Sequence, residues 1–558
     1  MTPGKISPEQ LAALLDQPAP HALLDVRERA AFERGHIYLA TPLPRRLLES
    51  RLPALVTAPA TLIVLYDDDG QLSALAAPTL GEMGYTEVFG LTGGLEAWRR
   101  AGRPVVQGLN VPSKVFGEHV LHERKTPEIT PRELSARMAE GRDMVIVDTR
   151  TPEEYHRGCL PGAWSMPGGE LVLRIGEVVE RPDQTIVVHC GGRTRSYLGA
   201  ESLRRMGLPN PIVAVKNGTM GWQLDGLELE RGASRWPPAP SEKSRARALE
   251  VAARVAAEDG TPLVSAEAVA ERWTRRDREN VYLLDVRTRE EYEAGHVPGS
   301  AWVPGGQAVQ ATDECVAVRA GWLVLICDGF GRSIMTAGWL KRMGFPRVAV
   351  LEGGVPAWER SGRPIETEQP PALPFGYEAA RRVVEQVPPG PLDEAVVISV
   401  DPSDVYLRGH VPGARWLGRG RLELQIGRAA PDTSRHVLLT CADGVQSTLA
   451  AATLRRMGYA AARVLEGGLT AWKAAGLEVE TGPGTMLDEA DDVVQKPYER
   501  GRAAMEAYLR WEEALDPRGV SPHALLPERP ADPQGAPRDP QGAPRDPRGS
   551  PRDPRGSQ

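Results

Sequence analysis

The stretch IVVHCGGRTRS, residues 186–196, decides the fold, because it joins a β-branched strand to a helix through a glycine-rich turn. Three other stretches have the same form: IVLYDDDGQLS (63–73), LVLICDGFGRS (323–333) and VLLTCADGVQS (437–447). A helical stretch follows each of them and ends in Met-Gly, and a glycine just past a helix end is the usual left-handed cap. The Met-Gly pairs are Met83-Gly84, Met206-Gly207, Met343-Gly344 and Met457-Gly458. The chain therefore repeats one unit four times.

Two further landmarks recur at matching places in the four units. Upstream, an apolar strand runs into an Asp-x-Arg unit and then a Gly-His pair, and the last slot stands 11 residues after the first. The copies are Asp25, Arg27, Gly35, His36; Asp148, Arg150, Gly158, Cys159; Asp285, Arg287, Gly295, His296; and Ser399, Asp401, Gly409, His410. Downstream, a glycine turn leads to tryptophan. These turns are Gly93-Gly94 to Trp98, Asn217-Gly218 to Trp222, Gly353-Gly354 to Trp358 and Gly467-Gly468 to Trp472.

The order of elements within a unit predicts an α/β fold. Each unit reads as strand, turn, helix and strand, at a spacing that needs right-handed crossovers and hence a parallel sheet. Helices are expected on both faces of that sheet. The period of about 115 to 135 residues is the size of a domain, well above the repeat length of a solenoid. The sequence thus predicts four tandem domains, each with its own core.

The landmarks also set approximate boundaries for these domains. We expect domains over 1–105, 125–232, 262–367 and 375–482, with a C-terminal extension over 483–558. Linkers are predicted at Gly102–Thr126, at Trp236–Ser241 followed by a helix over Arg245–Ala257, and at Glu368–Pro374. Ala503–Leu515 is a candidate helix. From Pro527 a Pro/Gly heptad without apolar positions predicts a disordered tail.

The composition places the chain among soluble globular proteins. Hydrophobic residues make up 41% and charged residues 25%, and no apolar run reaches the ~18 residues of a membrane span. The first 21 residues do not read as a secretory signal, so we expect a cytoplasmic protein. A net charge of -7 predicts neither nucleic-acid nor membrane binding.

The five cysteines point to thiol chemistry. Their number is odd and they form no CxxC pair, which argues against a disulfide framework and against a zinc cluster. The cysteines are Cys159, Cys190, Cys315, Cys327 and Cys441.

Cys190 lies where a thiolate would be stabilised. It follows the strand 186–189, and Ser196 is a candidate cap for a helix over Tyr197–Met206, so the turn joins a strand end to a helix start. Free amides at a helix start carry partial positive charge, and Gly191 and Gly192 allow the backbone to curl around the sulfur. Arg193 and Arg195 add two cations. Such surroundings lower a thiol's pKa from about 8.5 and make it a nucleophile.

A buried structural cysteine is the plain alternative for Cys190, since free cysteine is often a core residue. That interpretation leaves the two glycines and the two arginines of the turn without a role.

Taken together, the Asp-x-Arg/Gly-His units, the strand–cysteine–helix turns and the glycine-to-tryptophan turns resemble the rhodanese family over about residues 5 to 482. The resemblance implies a sulfurtransferase that takes sulfane sulfur from thiosulfate or a similar donor. Cys190 would form a persulfide and pass the sulfur to a thiophilic acceptor, which is a small molecule or a protein. Arg193 and Arg195 would bind the anion, and the loop amides, including those of Gly191, Gly192 and Thr194, would form its cradle. No cofactor and no metal are implied.

The same slot differs in the other three units. Cys327 is the second catalytic candidate, with Arg332 as its substrate-binding cation, although the acidic Asp328 follows it directly. Cys441 is a weaker candidate, because no cation follows it within its turn. Asp67 occupies the slot in the first unit, and a carboxylate cannot carry sulfane sulfur. We therefore expect the first domain to be inactive.

Other recurring residues are better explained by structure than by catalysis. The Asp-x-Arg pairs recur in the inactive first unit, which favours a structural ion pair. The four tryptophans are expected to anchor cores. His36, His296 and His410 lie in separate units, so a shared metal site is not expected. Cys159 replaces histidine in its unit and is either a simple filler or a resolving thiol for Cys190.

Two other functions compete with sulfur transfer. The pair His189-Cys190 followed by arginines resembles the HCx5R signature of cysteine phosphatases and arsenate reductases, but Arg195 is the fifth residue after Cys190, so the signature misses by one. A second alternative is an interaction or sulfur-carrier array with little turnover, in which the degenerate first and fourth domains are binding modules.

Overall fold

A computed structural model describes residues 3–329, 331–367, 372–392 and 394–515. They form four separate parallel sheets, each flanked by helices, as the repeats predict. The predicted disordered tail lies outside the described residues, as does most of the linker predicted at Glu368–Pro374. Among the helices of the described ranges, none is both long enough and apolar enough to cross a membrane.

The first sheet has the strand order β1-β5-β4-β2-β3. Its strands are β1 Gly4–Ile6, β2 His21–Asp25, β3 Thr41–Pro42, β4 Leu62–Tyr66 and β5 Val88–Leu91. The helices around it are α1 Pro8–Leu15, α2 Arg29–Arg34, α3 Leu48–Leu55, α4 Gln71–Glu82 and α5 Gly94–Arg100, and α6 Val111–Arg124 connects it to the next domain.

The second sheet repeats this order as β6-β10-β9-β7-β8. Its strands are β6 Glu128–Ile129, β7 Met144–Asp148, β8 Trp164–Ser165, β9 Thr185–His189 and β10 Ile212–Val215. Its helices are α7 Pro131–Ala139, α8 Pro152–Arg157, α9 Leu171–Arg174, α10 Thr194–Arg205 and α11 Gly218–Leu224, and α12 Glu242–Asp259 connects it to the third domain.

The third sheet has the order β11-β15-β14-β12-β13. Its strands are β11 Leu263–Val264, β12 Val281–Asp285, β13 Ala301–Trp302, β14 Trp322–Ile326 and β15 Val348–Leu351. Its helices are α13 Ala266–Thr274, α14 Arg289–Ala294, α15 Gly305–Gln310, α16 Thr312–Cys315, α17 Arg332–Arg342 and α18 Gly354–Arg360, and α19 Tyr377–Val383 follows.

The fourth sheet gains a sixth strand, in the order β16-β20-β19-β17-β18-β21. Its strands are β16 Glu385–Val387, β17 Val396–Ser399, β18 Arg415–Trp416, β19 Val437–Thr440, β20 Ala462–Leu465 and β21 Thr485–Met486. The remaining helices are α20 Ser403–Arg408, α21 Leu422–Gln425, α22 Val445–Arg456, α23 Gly468–Ala474 and α24 Arg502–Glu513. Short 3-10 turns cover Arg45–Leu47, Ile175–Glu177, Arg419–Arg421, Ile426–Arg428 and Pro497–Glu499. β21 lies beyond residue 482, where the repeat pattern ends.

The linker predicted at Gly102–Thr126 is for the most part a buried helix. Val111, Val115, Phe116 and Val120 recur at helical spacing and are each at most 4% exposed, so α6 packs into the molecule rather than spanning a gap. It packs on α10, and the connecting helices α12 and α19 pack in the same way on α17 and α22. Each connecting helix therefore covers the helix that follows the cysteine turn of the next domain.

The Asp-x-Arg pairs are buried structural ion pairs, as predicted. In the second domain the guanidinium of Arg150 donates to both carboxylate oxygens of Asp148 and also to the carbonyl of Gly158. The equivalent arginines of the first and third domains make the same bonds. Each ion pair thus links the strand end to the Gly-His or Gly-Cys turn, which explains the fixed spacing between the Asp-x-Arg unit and that turn.

The tryptophans and histidines of the repeats also have structural roles. Each of the four tryptophans is buried, and its indole N–H donates to a backbone carbonyl six residues further along. His36, His296 and His410 each stack on the aromatic ring four residues earlier, with centroids 3.7 to 3.8 Å apart. Within the described ranges, no three His, Cys, Asp or Glu side chains are grouped to hold a metal.

Candidate active site

The Cys190 turn joins the end of β9 to the start of α10. The Cys190 thiol lies 3.5 Å from the Ser196 hydroxyl, to which it donates, and that hydroxyl donates to the Arg193 carbonyl at 2.8 Å. The expected helix start at Ser196 is wrong, because helical geometry begins at Thr194. Ser196 therefore lies inside the first turn of α10 and holds the thiol from there.

The glycine turn before α11 holds the Cys190 turn in place. The amide of Thr219 donates to the Cys190 carbonyl at 2.9 Å, and the amide of Met220 donates to the Gly191 carbonyl at 3.1 Å. Gly218 has φ +51°, and a Cβ at this position would overlap the Cys190 carbonyl. A glycine is therefore required here, and the downstream landmark is part of the site's framework.

The two arginines of the turn have carboxylate partners. Arg195 donates through both terminal nitrogens to Glu154, at 2.6 and 3.0 Å. Arg193 donates through Nε and one terminal nitrogen to the two carboxylate oxygens of Glu118 in α6, at 2.6 and 2.8 Å, and also to Asn217. Both guanidiniums are thus fixed in orientation, and their charge is partly neutralised before any ligand arrives.

The electrostatics of Cys190 reflect opposing effects. Burial raises the pKa of its thiol, since the side chain is 2% exposed. The Arg195 guanidinium and the contacts with the Ser196 hydroxyl and amide act in the other direction, and the carboxylate of Glu512 raises the pKa further. The net direction is upward, so the expected lowering of the Cys190 pKa is wrong for this structure, and the thiol form is favoured.

Helix α24 covers this turn, which nothing in the sequence pattern indicates. The Thr194 hydroxyl donates to Glu512 at 2.9 Å, and Arg193 donates to Glu513 at 3.0 Å. Met505 and Leu509 of the helix pack on Met220. The predicted helix over 503–515 is thus present, and the structure places it on the candidate site.

The Cys327 turn of the third domain is built in the same way. Its thiol lies 3.0 Å from the Ser333 hydroxyl and accepts from the Gly329 amide at 3.2 Å. Three carboxylates surround the buried guanidinium of Arg332, which is 0% exposed. They belong to Glu170 of the second domain, Glu291 and Asp328. Burial and then Asp328 raise the pKa of Cys327.

The charged residues that act on the Cys441 thiol are acidic. The thiol lies 3.4 Å from Ser447 and 3.5 Å from Asp443, and the Ala442 amide donates to Asp401 at 2.7 Å. Burial raises the pKa of Cys441 to about 11, with Asp401 and Asp443 adding to the rise.

In the first domain the carboxylate of Asp67 lies where the other domains have the cysteine thiol. It accepts from the Leu72 amide at 2.8 Å, from the Ser73 amide at 3.3 Å and from the Ser73 hydroxyl at 2.6 Å. The Asp67 carboxylate thus caps the free amides at the start of α4.

One residue type is shared by all four turns, and its contact with the cysteine slot was not predicted from the sequence. Serine stands six residues after the cysteine slot in each unit, at Ser73, Ser196, Ser333 and Ser447. Each hydroxyl contacts the side chain in the slot. The repeat alignment carries this signal. Glu154 also has a marker, because Glu291 stands at the same place in the third unit, four residues after the Asp-x-Arg arginine, whereas Glu118 and Glu512 lie outside the repeated units.

The remaining cysteines lie apart from these turns. Cys159 is 0% exposed and packs in a core cluster with Tyr155 and Trp222, which supports the filler interpretation. Burial raises the pKa of Cys159 to about 11 and that of Cys315 to about 12.

Comparison with known proteins places these observations in a family. The family model described as a rhodanese-like domain matches residues 7–101, 130–225, 268–361 and 390–475. A crystal structure of a thiosulfate sulfurtransferase from Pseudomonas aeruginosa is 36% identical, with a TM-score of 0.86, and the match covers 94% of this chain and 99% of that one. A thiosulfate sulfurtransferase of Azotobacter vinelandii is 29% identical over 246 residues, 37% of this chain and 89% of its own. A sulfurtransferase of Allochromatium vinosum is 30% identical over 102 residues, 18% of this chain and 92% of its own.

Proposed function

Since this chain belongs to the rhodanese-like family, we propose that it is a thiosulfate sulfurtransferase in which Cys190 carries the sulfane sulfur. The observation that carries the assignment is the Cys190 turn itself. Among the three cysteine turns it alone contains two arginines and no acidic residue. Arg195 is also the cation that acts most strongly to lower the pKa of the Cys190 thiol.

The proposed first step is attack of the Cys190 thiolate on the outer sulfur of thiosulfate. A bond forms between the two sulfurs, the bond to the sulfonate sulfur breaks, and sulfite leaves with the electron pair. The thiol proton goes to solvent. The enzyme persulfide that remains is anionic and would lie in the cradle of loop amides at the start of α10.

In the second step a thiophilic acceptor attacks the outer sulfur of the persulfide. The bond between the two sulfurs breaks, and the Cys190 thiolate is regenerated as the leaving group. A small-molecule or a protein acceptor would satisfy this chemistry equally. Ser196 supports both steps as a positioning residue, because its hydroxyl contacts the Cys190 sulfur from the first turn of α10.

The surroundings of the other slots support a graded activity. Cys327 is the second candidate, since its sulfur accepts an amide hydrogen bond but its arginine is surrounded by three carboxylates. Cys441 is the third, because Asp401 and Asp443 add to the rise in its pKa. Asp67 bonds to the amides of its own turn, so the first domain would contribute structure rather than sulfur transfer.

The test measures the rate of sulfur transfer from thiosulfate to a small thiophilic acceptor. The two variants compared are Cys190→Ser and Cys327→Ser, each in the full chain. Serine is close in size to cysteine and retains a hydroxyl near Ser196, but it cannot carry sulfane sulfur. We expect Cys190→Ser to lose more than nine-tenths of the activity, and Cys327→Ser to retain most of it. Near-normal turnover of Cys190→Ser together with loss in Cys327→Ser would reverse the assignment.

A further inference from the structure

The Cys190 turn is covered in a way that the other three turns are not. Residues 190–194 are all buried, whereas Asp68 and Asp69 of the first domain and Asp443 of the fourth are exposed, and Asp328 and Gly329 of the third are partly exposed. The difference arises from α24, which contacts both α11 and α6 beside the Cys190 turn. An element outside the repeats therefore closes the main candidate site.

Glu512 is the residue of α24 that lies directly on the turn. Its side chain is 2% exposed, and one carboxylate oxygen accepts the hydrogen bond from the Thr194 hydroxyl. The other oxygen lies 3.1 Å from where a Cβ of Gly192 would be, and no described residue donates a hydrogen bond of normal geometry to it. A buried carboxylate thus lies against Gly192 and Thr194 of the Cys190 turn.

Other residues of α24 make contacts of their own, although Tyr508 also interacts with Glu512. The ammonium group of Lys114 in α6 lies 5.0 Å from the ring centre of Tyr508 and 4.9 Å from that of Trp511. Met505 and Leu509 fill the apolar contact with Met220. Removing the charge of Glu512 should therefore leave the helix folded and docked.

The charges around the turn show what Glu512 contributes. Arg195 is paired with Glu154, and Arg193 is paired with Glu118 and Glu513, so both cations of the turn are already matched by carboxylates. Glu512 adds a further negative charge close to Cys190. A dianion such as thiosulfate must enter against this charge and must displace the carboxylate from Thr194.

We propose that Glu512 is a specificity-determining residue of the Cys190 site, which sets how readily the site accepts an anionic sulfur donor. The proposal deepens the proposed function and rests on Cys190 as the sulfur carrier. The anionic donor takes the place of the Glu512 carboxylate beside the turn. Helix α24 must therefore move away from the turn as the donor enters. Among the described residues no element covers the Cys327 turn in this way, so the Cys327 site is the internal reference for the effect.

The first test is Glu512→Gln in the full chain, with Glu506→Gln as the matched control. The control substitution removes the same charge from the same helix, but Glu506 pairs with Arg502, away from the turn. Persulfide on the Cys190 peptide is measured by mass spectrometry against thiosulfate concentration. We expect Glu512→Gln to lower the half-saturating concentration about tenfold, because a hydrogen bond to a charged acceptor is exchanged for one to a neutral acceptor. Glu506→Gln and the Cys327 peptide should not change.

The second test measures charge selection without sulfur transfer. The alkylation rate of Cys190 is measured with neutral iodoacetamide and with anionic iodoacetate, across a range of pH. Both reagents report the thiolate fraction, so the ratio of their rates isolates the effect of charge on entry. We expect Glu512→Gln to increase the iodoacetate rate severalfold more than the iodoacetamide rate. Leu509→Asp, which disrupts the packing of α24, should increase both rates.

The two tests separate the two proposals. If persulfide forms on Cys190 but Glu512→Gln changes neither the half-saturating concentration nor the ratio of rates, the specificity role is overturned. A higher half-saturating concentration in Glu512→Gln or in Leu509→Asp would overturn it as well, because α24 would then complete the site. If the ratio of rates changes and no variant forms persulfide on Cys190, the proposed function fails while the charge selection stands.

Discussion

At the scale of single residues, a serine at the same position of each turn contacts the side chain that fills the slot. In the first domain the Ser73 amide and hydroxyl donate to the Asp67 carboxylate, and in the fourth the Ser447 amide donates to the Cys441 sulfur at 3.3 Å. In these two domains the donors at the helix start therefore point at the side chain in the slot, whether it is a carboxylate or a sulfur. What distinguishes Cys190 is the charge of the residues that follow it.

Asp67→Cys tests whether a cysteine in this slot is sufficient. The acidic Asp68 and Asp69 stay beside it and no arginine follows, so the new thiol should be mostly protonated at neutral pH and should repel thiosulfate. We expect little or no persulfide on this cysteine in the full chain, measured by peptide mass. Loss of the carboxylate cap of α4 should also cost about 1 kcal/mol in the free energy of unfolding.

The matched variant adds Asp68→Gly, Asp69→Gly and Leu72→Arg to Asp67→Cys, which imitates the turn around Cys190. Persulfide should then appear at the new cysteine. Strong labelling of the single variant would contradict the account, because it would show that the missing sulfur atom was the only defect of the first domain.

Asp401 in the fourth domain predicts a dependence of stability on pH. Burial raises its pKa to about 6, and the neighbouring acids Asp443 and Asp404 add to the rise. A carboxyl group with a raised pKa stabilises the fold when protonated, and this contribution is lost as the pH rises from about 4 through about 6. We expect Asp401→Asn to gain up to about 2–3 kcal/mol over the parent chain between pH 4 and pH 7.

The measurement for Asp401→Asn is amide exchange of peptides from β17 and α22 in the full chain, corrected for the intrinsic exchange rate at each pH. An advantage of the variant that grows with pH confirms the sign. An equal difference at both pH values would show that the carboxyl group titrates at its ordinary pKa in the folded protein.

At the scale of elements, the helix α6 links the first domain to the chemistry of the second. Glu118 is 1% exposed and holds both nitrogens of the Arg193 fork. Glu118→Gln would leave the buried guanidinium with weaker partners, so we expect a loss of about 3 kcal/mol in the free energy of unfolding. Glu140→Gln, which removes an exposed pair with Arg142, should cost less than 1 kcal/mol. Denaturant unfolding that shows equal costs for both would contradict a structural role of Glu118.

An element could be predicted from the sequence when it recurred in the four repeats. The strands, the cysteine turns and the Met-Gly helix ends followed from four aligned copies, and the structure confirms the four sheets. Helix α6 lies between the units and was predicted as a linker, because its apolar spacing had no second copy for comparison. The Glu512 contact joins residues 318 apart in sequence, and the pattern of a single amphipathic helix does not specify the surface it covers.

At the scale of the whole molecule, the domains share cores and ion pairs. One continuous cluster of buried side chains runs through the first three domains. The first and fourth domains meet through two reciprocal pairs, Arg45 with Glu423 and Arg419 with Glu49. Arg332 in the Cys327 turn reaches Glu170 of the second domain at 2.7 Å. The candidate sites are therefore embedded in contacts between domains, and all of the experiments use the full chain.

The central claim is that Cys190 is the main sulfur carrier of the chain. The most direct measurement is the fraction of persulfide on the Cys190, Cys327 and Cys441 peptides of the same full-length sample, at limiting thiosulfate and in the absence of acceptor. We predict that one added sulfur atom accumulates first on Cys190, then more slowly on Cys327, with little on Cys441, and that adding acceptor removes it from Cys190. Labelling of Cys327 or Cys441 while Cys190 stays unmodified would contradict the account.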